Sequence, residues 1–331
     1  MGYLHAAALL RPSSGIINQM RWEHQAANEL GIDWGVKLFC PKGWMEPEGF
    51  IEESPKVKAG DPGKGKPTDW IRFRYGYYQW LLSQTEYYDA FVLRYYVHDP
   101  FQMMFAQRCK IPVYFVHHTL EEPELRLAGT WSAKLCAALE YLTAKPTLRA
   151  ASGIIGGTQE IVNYEVARAG VVNARTFVYP NAINFNEDPV ADKRGEIPEL
   201  LFVAGRFAPW HGLDLLLDSI ERSDAQFKLH LVGSVHEPNL SRAVKDSRIV
   251  VHGRLSSKEI SHLAETCWVG LSSFGLHRKK MTEACTLKVR EYLMMGLPVY
   301  SEHRDVVERK SVFVFSGPAD LTTILDFAKD N

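Results

Sequence analysis

The strongest constraint on the fold of this chain is a repeated alternation: short apolar runs, each followed by a longer stretch with helical spacing. The runs are 4–9 (LHAAAL), 36–40 (VKLFC), 90–95 (AFVLRY), 112–116 (PVYFV), 153–156 (GIIG) and 176–179 (TFVY). After a polar gap they resume at 200–204, 228–232, 248–252, 267–272 and 297–300. A run that is apolar at successive positions is a strand buried on both faces, the condition of a parallel sheet covered by helices. Helical patterns at 16–30, 131–145, 212–222, 256–265 and 287–295 supply the cover. The gap at 185–199 (FNEDPVADKRGEIPE) is polar, holds two prolines and reads as a linker. The expectation is therefore an α/β chain of two doubly wound, Rossmann-like domains with a cleft between them. Their bounds are 1–185 and 200–331, with a linker at 186–199, and 331 residues suit two domains.

Thirty-eight Lys and Arg against 39 Asp and Glu leave a net charge of −1, which argues against a nucleic-acid coat. Five scattered cysteines, none in C-x-x-C spacing, argue for reduced thiols, a cytosolic setting and no zinc site. The start reads as a buried strand rather than a signal peptide, and no stretch is apolar enough to span a membrane. A cytoplasmic protein is the expectation.

Residues 53–69 carry four Lys, three Gly and three Pro with no apolar period, the composition of a solvated loop. A mobile basic loop that meets phosphate or an anionic membrane is the sharper alternative. The aromatics that follow, from Trp70 to Tyr88, read first as core packing and second as a sugar- or lipid-facing platform.

Three segments carry chemistry. In 283–298 (EACTLKVREYLMMGLP), Thr286 is a good N-cap, Gly296 ends the helix and Pro298 follows it. The amides near 285–288 and the positive helix end would together favour phosphate. Lys288 lies in the first turn, where a cation is unfavourable unless an anion is near, and Glu291 one turn later suits vicinal hydroxyls. The alternative is an amphipathic helix with solvated Lys and Glu. In 201–214, an apolar strand ends in Gly205, leaving Arg206 and His211 at the carboxyl edge of the sheet, where ligands bind. In the first domain, Ser13, Ser14 and Gly15 open a helix after the first strand, and His118 follows the 112–116 strand. No dinucleotide fingerprint, P-loop, nucleophile elbow or H-E-x-x-H is present.

These residues resemble the GT-B-fold glycosyltransferases, in particular the retaining family 4 (glycosyl transferases group 1) enzymes. Glu283 and Glu291 stand in the E-x7-E arrangement, with 287–298 (LKVREYLMMGLP) around the second. Gly205-Arg206 with Gly212-Leu213-Asp214 resembles the family's "GR-x…KG-x-D" loop, and 180–184 (PNAIN) its "PNGID" marker. The resemblance implies two Rossmann-like domains facing each other across a cleft, acceptor side first and donor side second. It implies transfer of a sugar from a nucleotide diphosphate sugar, UDP- or GDP-linked, to a hydroxyl of a glycan or lipid-linked acceptor. Retention, no resident cofactor and no metal go with it, and no Asp-x-Asp pair occurs in the chain.

Carried over, Glu291 would bind the ribose, and Arg206 and Lys288 the diphosphate with the amides around Thr286 and Leu287. Glu283 would face the donor sugar, Arg254 and Leu255 would pass the base, and His118 would approach the transferred sugar. Gly15 would let its loop come close to phosphate or acceptor. His211 stands where the family has Lys, and Ala182 where it has Gly. His211 is expected to titrate near the ordinary imidazole value, unless it packs beside Trp210 and Lys288 supplies the charge. The chain ends soon after its last helix, leaving little for a helix that crosses back to domain one. Peripheral contact with the inner membrane stays open. A GT-B-fold nucleotide-sugar epimerase and a non-catalytic nucleotide-sugar-binding subunit are the alternatives.

Overall fold

A computed structural model of the chain describes residues 2–46, 48–59, 67–127, 129–171, 174–184, 189–306 and 311–331. It divides into two compact units, Met1–Asn184 and Phe185–Asn331.

The first unit contains β1 (Tyr3–Ala8), β2 (Trp34–Lys42), β3 (Ile51–Lys58), β4 (Ala90–Arg94), β5 (Val113–His117), β6 (Gly153–Gly156) and β7 (Arg175–Val178). They form one parallel sheet in the order β3-β2-β1-β4-β5-β6-β7. Its helices are α1 (Ser14–Glu29), α2 (Pro67–Ser83), α3 (Pro100–Arg108), α4 (Glu121–Leu127), α5 (Trp131–Ala150) and α6 (Gln159–Ala169). Leu4, Phe91, Phe115 and Ile154 of the central strands pack in one core with Phe73, Tyr77 and Leu81 of α2. Helix boundaries follow local chemistry: the Asp99 carboxylate caps α3, and Gly170 closes α6 in the left-handed conformation.

The expected loop at 53–69 is corrected in part. Its start lies in β3, its end opens α2 at Pro67, and residues 60–66 lie outside the described residues. β3 is an edge strand, half wetted, so it carries IEESPKVK with Pro55 and shows no apolar run. Among the described residues, no helix is long and apolar enough to cross a membrane.

The second unit contains β8 (Glu199–Arg206), β9 (Lys228–Ser234), β10 (Ile249–Gly253), β11 (Val269–Leu271), β12 (Glu283–Ala284), β13 (Val299–Ser301), β14 (Arg304–Asp305) and β15 (Val314–Ser316). Six of them pair in parallel in the order β10-β9-β8-β11-β13-β15, and β12 pairs separately with β14. The helices are α7 (Leu213–Ile220), α8 (Asn239–Ala243), α9 (Ser257–Ala264), α10 (Leu287–Met294) and α11 (Leu321–Asp330). Alternate residues of β8 serve opposite faces: Leu200 and Phe202 pack in one core, Leu201 in another with Val289 and Tyr292 of α10. α10 lies hard against the sheet because Gly270 of β11 has no side chain. A Cβ there would meet the Tyr292 ring at 2.5 Å. The Tyr292 hydroxyl in turn accepts the Val203 N–H at 2.8 Å.

The expected linker at 186–199 is not a free tether in its described part, and residues 186–188 lie outside the described residues. The Val190 N–H bonds the Met295 carbonyl (3.2 Å), the Lys193 N–H bonds the Glu265 carbonyl (2.8 Å), and Glu199 already begins β8. Strand order reverses between β1 and β4 in the first sheet and between β8 and β11 in the second. Ligands of open α/β sheets bind outside the carboxyl ends of the strands at such points.

Candidate functional site

In the second unit, β8 runs out through Gly205 and Arg206 at the reversal point, and the chain then turns through Pro209–His211 into α7. The loop after β11 is stitched to this turn: the Phe274 N–H bonds the His211 carbonyl (2.9 Å) and the Gly275 N–H that of Trp210 (3.1 Å). The His211 Nδ1 accepts the Ala208 N–H at 2.9 Å, which leaves the ring proton on Nε2. Burial, with the Lys288 and Lys279 charges beside it, pushes the imidazole down to about 2. His211 is therefore neutral and offers an N–H, and the expected titration near the ordinary value is corrected. It packs against Trp210, with ring centroids 5.8 Å apart.

The second wall is the start of α10. Thr286 occupies the N-cap position in an extended conformation, but its side chain caps nothing, and its buried Oγ1 has no hydrogen-bond partner. Lys288, in the first turn, has its Nζ withdrawn from water without a partner, 5.6 Å from the centre of the Phe202 ring. Burial lowers the ammonium to about 8, opposed by Glu291. The Glu291 carboxyl is raised above its ordinary value by burial, opposed by Lys288.

An unpaired buried cation at the positive end of a helix is unfavourable twice over, through lost hydration and through the dipole. An anion would relieve both.

Two further buried groups lie at the carboxyl ends of neighbouring strands of the same sheet. Ser272, directly after β11, has a buried Oγ without a partner. His303, just after β13, faces the Ser273 carbonyl with Nδ1 at 3.3 Å, and its buried Nε2 has no partner. Burial lowers His303 to about 4, and Lys288 is among the charges that act on it. With Nδ1–H donating, Nε2 is a bare acceptor suited to a hydroxyl. Thr286, Ser272 and Lys288 can donate to an anion, while Glu291 and His303 can accept from hydroxyls.

Sequence reasoning missed Ser272, His303 and Lys279, the last with its ammonium 4.8 Å from the Trp210 ring centre. The basic run 277–280 (HRKK) was the one available signal for Lys279. Ser272 and His303 stand in no motif and are gathered only by strand order.

The remaining expected residues are placed as follows. Arg206 is exposed and has no ion-pair partner among the described residues. Glu283 pairs with Arg304 at 3.2 Å, the two being register partners in β12 and β14. Arg254 is exposed just after β10, whereas Leu255 packs on the core beneath α10. Leu287 is the first residue of α10.

In the first unit, His118 follows β5 and hydrogen-bonds Asn181, which also accepts from Gln19 Nε2 at 3.0 Å. Burial and the neighbouring Arg94 hold His118 well below the ordinary imidazole value. Gly15 is the second residue of α1, whose N-cap Ser13 makes no side-chain cap.

Among the described residues, two groupings have metal-ligand chemistry, Glu199–His230–Cys267 and His117–Glu121–Glu165. Neither contains a residue of the site above. His230 already spends both ring nitrogens on His252 and Glu199, each at 2.9 Å, and Arg168 already pairs with Glu165.

Residues 198–318 match the family described as Glycosyl transferases group 1. No curated protein sequence matches the chain. Among solved structures, HepE of Anabaena in complex with UDP and glucose is similar at 13% identity, over 100% of this chain and 90% of that one, with a TM-score of 0.64. Starch synthase IV of Arabidopsis thaliana, bound to ADP and acarbose, is similar at 12% identity over 99% and 91%, with a TM-score of 0.63. A UDP-N-acetylglucosamine 2-epimerase, assigned as such to Listeria monocytogenes, is similar at 12% over 100% and 89%, with a TM-score of 0.54. The chain has the GT-B fold of these solved structures, and its residues 198–318 are similar to the glycosyl transferases group 1 family.

Proposed function

We propose that the chain is a glycosyltransferase that works in the cytoplasm. It would take a sugar from a nucleotide diphosphate sugar, UDP- or GDP-linked, and pass it to a hydroxyl of a glycan or lipid-linked acceptor. The observation that carries this reading is Lys288, an unpartnered buried ammonium at the start of α10, inside the segment that matches the family. Lys288, Arg206 and the first amides of α10 would hold the diphosphate, the leaving group on which charge develops as the bond from the sugar C1 to its oxygen breaks. Glu291 would accept the ribose hydroxyls and His303 a hydroxyl of the donor. His118, held neutral, would meet the transferred sugar, and Glu283 would reach that sugar from its pair with Arg304. Gly15 would give the acceptor or phosphate close approach, and Arg254 with Leu255 would border the base.

Retention follows if the acceptor oxygen bonds C1 on the face the diphosphate leaves, its proton passing to a leaving phosphate oxygen. That route needs neither a protein nucleophile nor a metal, and we propose that the enzyme uses none.

Calorimetric titration with UDP, GDP and ADP tests the reading. One nucleotide should bind, and Glu291→Ala should weaken it by about 1.5–3 kcal/mol, the range of a charge-assisted hydrogen bond. Unchanged affinity in a folded variant removes Glu291 from the site. With the matching nucleotide sugar and EDTA present, release of nucleoside diphosphate should depend on an added acceptor. A new nucleotide sugar formed from donor alone would mean epimerisation instead.

A further inference from the structure

At the carboxyl ends of β1 and β4, where the strand order of the first sheet reverses, a groove of about 210 Å³ opens. Its walls are aromatic: Trp70 and Phe73 of α2, and Tyr96 and His98 of the segment after β4. The Trp70 and His98 rings stack with centroids 6.3 Å apart and planes 10° from parallel. Phe73 belongs to the core behind the groove, whereas Trp70 is only half-buried.

The groove is held rigid. His98 has a φ of +49°, the left-handed region that a residue with a side chain enters at a cost, and strain of this kind is kept where a site needs it. Its N–H bonds the Glu140 carboxylate at 2.6 Å, and beside it Asp99 binds the Arg74 guanidinium and caps α3. Tyr96 is fixed from both sides: buried Gln102 bonds its N–H and its carbonyl, and its hydroxyl accepts the Ala8 N–H. Glu140 comes from the buried face of α5, whose opposite face leaves Trp131, Leu135 and Leu142 in water.

Size, charge and polarity identify the occupant. The 210 Å³ volume lies below the roughly 300–1,000 Å³ of pockets for drug-sized ligands, so it suits a single ring. Arg74, the cation on its wall, is 3% exposed and spent on Asp99 and the Tyr78 hydroxyl at 2.6 Å each, so nothing here calls for a phosphate. His98 keeps a buried Nδ1 without a partner, and burial holds its imidazole below the ordinary value, so a neutral ring is left to pair with a hydroxyl. An uncharged ring with an apolar face to lie on an aromatic, and hydroxyls at its edge, is a pyranose.

We propose that this groove holds a terminal pyranose of the acceptor, packed against the Trp70 and Tyr96 rings with a hydroxyl on His98. The end of the acceptor that enters the first unit is then a neutral sugar rather than a lipid phosphate. The word acceptor rests on the sugar-transfer reading, but the binding itself needs no donor.

Saturation-transfer NMR on the full chain without nucleotide tests it. The probes are the methyl pyranosides of glucose, galactose, mannose and N-acetylglucosamine, with inorganic phosphate and octanol as competitors. At least one pyranoside should receive saturation at its ring C–H protons, and neither competitor should displace it. Trp70→Leu and His98→Asn should each weaken its affinity about fivefold. His98→Asn should melt with the parent, because asparagine accepts the left-handed backbone and keeps the N–H that Glu140 binds.

No saturation transfer to any of the four overturns the proposal, as does displacement by phosphate or octanol. So does unchanged affinity in either folded variant, because the sugar would then lie elsewhere. Nucleotide binding, titrated separately, reports on the second unit: its failure would overturn sugar transfer and leave the groove standing, whereas wild-type affinity in the variants overturns the groove alone.

Discussion

The ammonium of Lys288 stands 5.6 Å from the centre of the Phe202 ring, with no hydrogen-bond partner for Nζ. The folded protein without ligand therefore carries a buried charge that Glu291 offsets only in part, and removing it should help the fold and harm the function. Lys288→Met is expected to raise the stability of the ligand-free protein by about 1–3 kcal/mol. It should weaken nucleoside diphosphate binding by a similar amount. The pH dependence has a definite sign: the folded ammonium loses its proton from about 8, well before an unfolded lysine does. Wild-type stability should thus rise between pH 8 and about 10.5 relative to Lys288→Met, and donor affinity should fall over the same interval. Parallel denaturant titrations of the two proteins across that range check both; parallel stability curves would clear Lys288 of any buried cost.

His211 makes the opposite prediction. Its ring is neutral, so donor affinity between pH 5.5 and 8.5 should owe no slope to it. His211→Ala should give an affinity profile of unchanged shape. The variant should also lose about 1–3 kcal/mol of stability, because the Ala208 N–H is left without its acceptor. A wild-type affinity that climbs below pH 7 and flattens in His211→Ala would show that bound phosphate protonates the ring.

A third expectation concerns Glu121 and Glu165 beneath His117. Burial raises their carboxyls to about 7 and about 8, so both hold their protons far above the usual carboxylate range. Unfolded carboxyls release theirs near pH 4, so this contribution to stability is complete at low pH and is lost as pH rises toward 8. Glu165→Gln fixes a proton-bearing group in place. The wild type should lose more than about 2 kcal/mol relative to this variant between pH 5 and 8. Chemical denaturation at the two pH values is the measurement, and a constant difference between the proteins would rule out a raised Glu165 carboxyl.

Gly233 offers a steric test of the β8–β9 contact behind Arg206. Its φ is +121°, and a Cβ would meet the Ala204 carbonyl oxygen at 1.5 Å. Gly233→Ala should cost more than about 3 kcal/mol, because neither the backbone angle nor the carbonyl can yield cheaply. Calorimetric melting would show it, and a variant that melts within a degree or two of the parent would mean that β9 can shift away.

The central strands were readable in the sequence because burial on both faces leaves them uniformly apolar, as in AFVLR of β4 and LLFVA within β8. β3 was not, since an edge strand with one wetted side loses that mark. The site divides in the same way. Arg206, His211, Lys288 and Glu291 lie in short contiguous segments whose turn and cap residues announce a helix start after a strand. Ser272 and His303 belong to separate segments, and only the order β8-β11-β13 brings them to the same sheet edge. Glu283 was readable as a residue but not as a partner of Arg304, because β12 and β14 are two residues long and have no period.

The two faces of α5 differ in what the fold asks of them. Selection for melting temperature or solubility alone would replace Trp131, Leu135 and Leu142 with polar residues at little thermodynamic cost, because most of each side chain is already in water. Consensus-style redesign of this protein would therefore erase its most distinctive surface first. A library scored by folding alone should drift at these three positions long before it touches Ala137, Thr143 or Ala144 on the opposite face of the same helix.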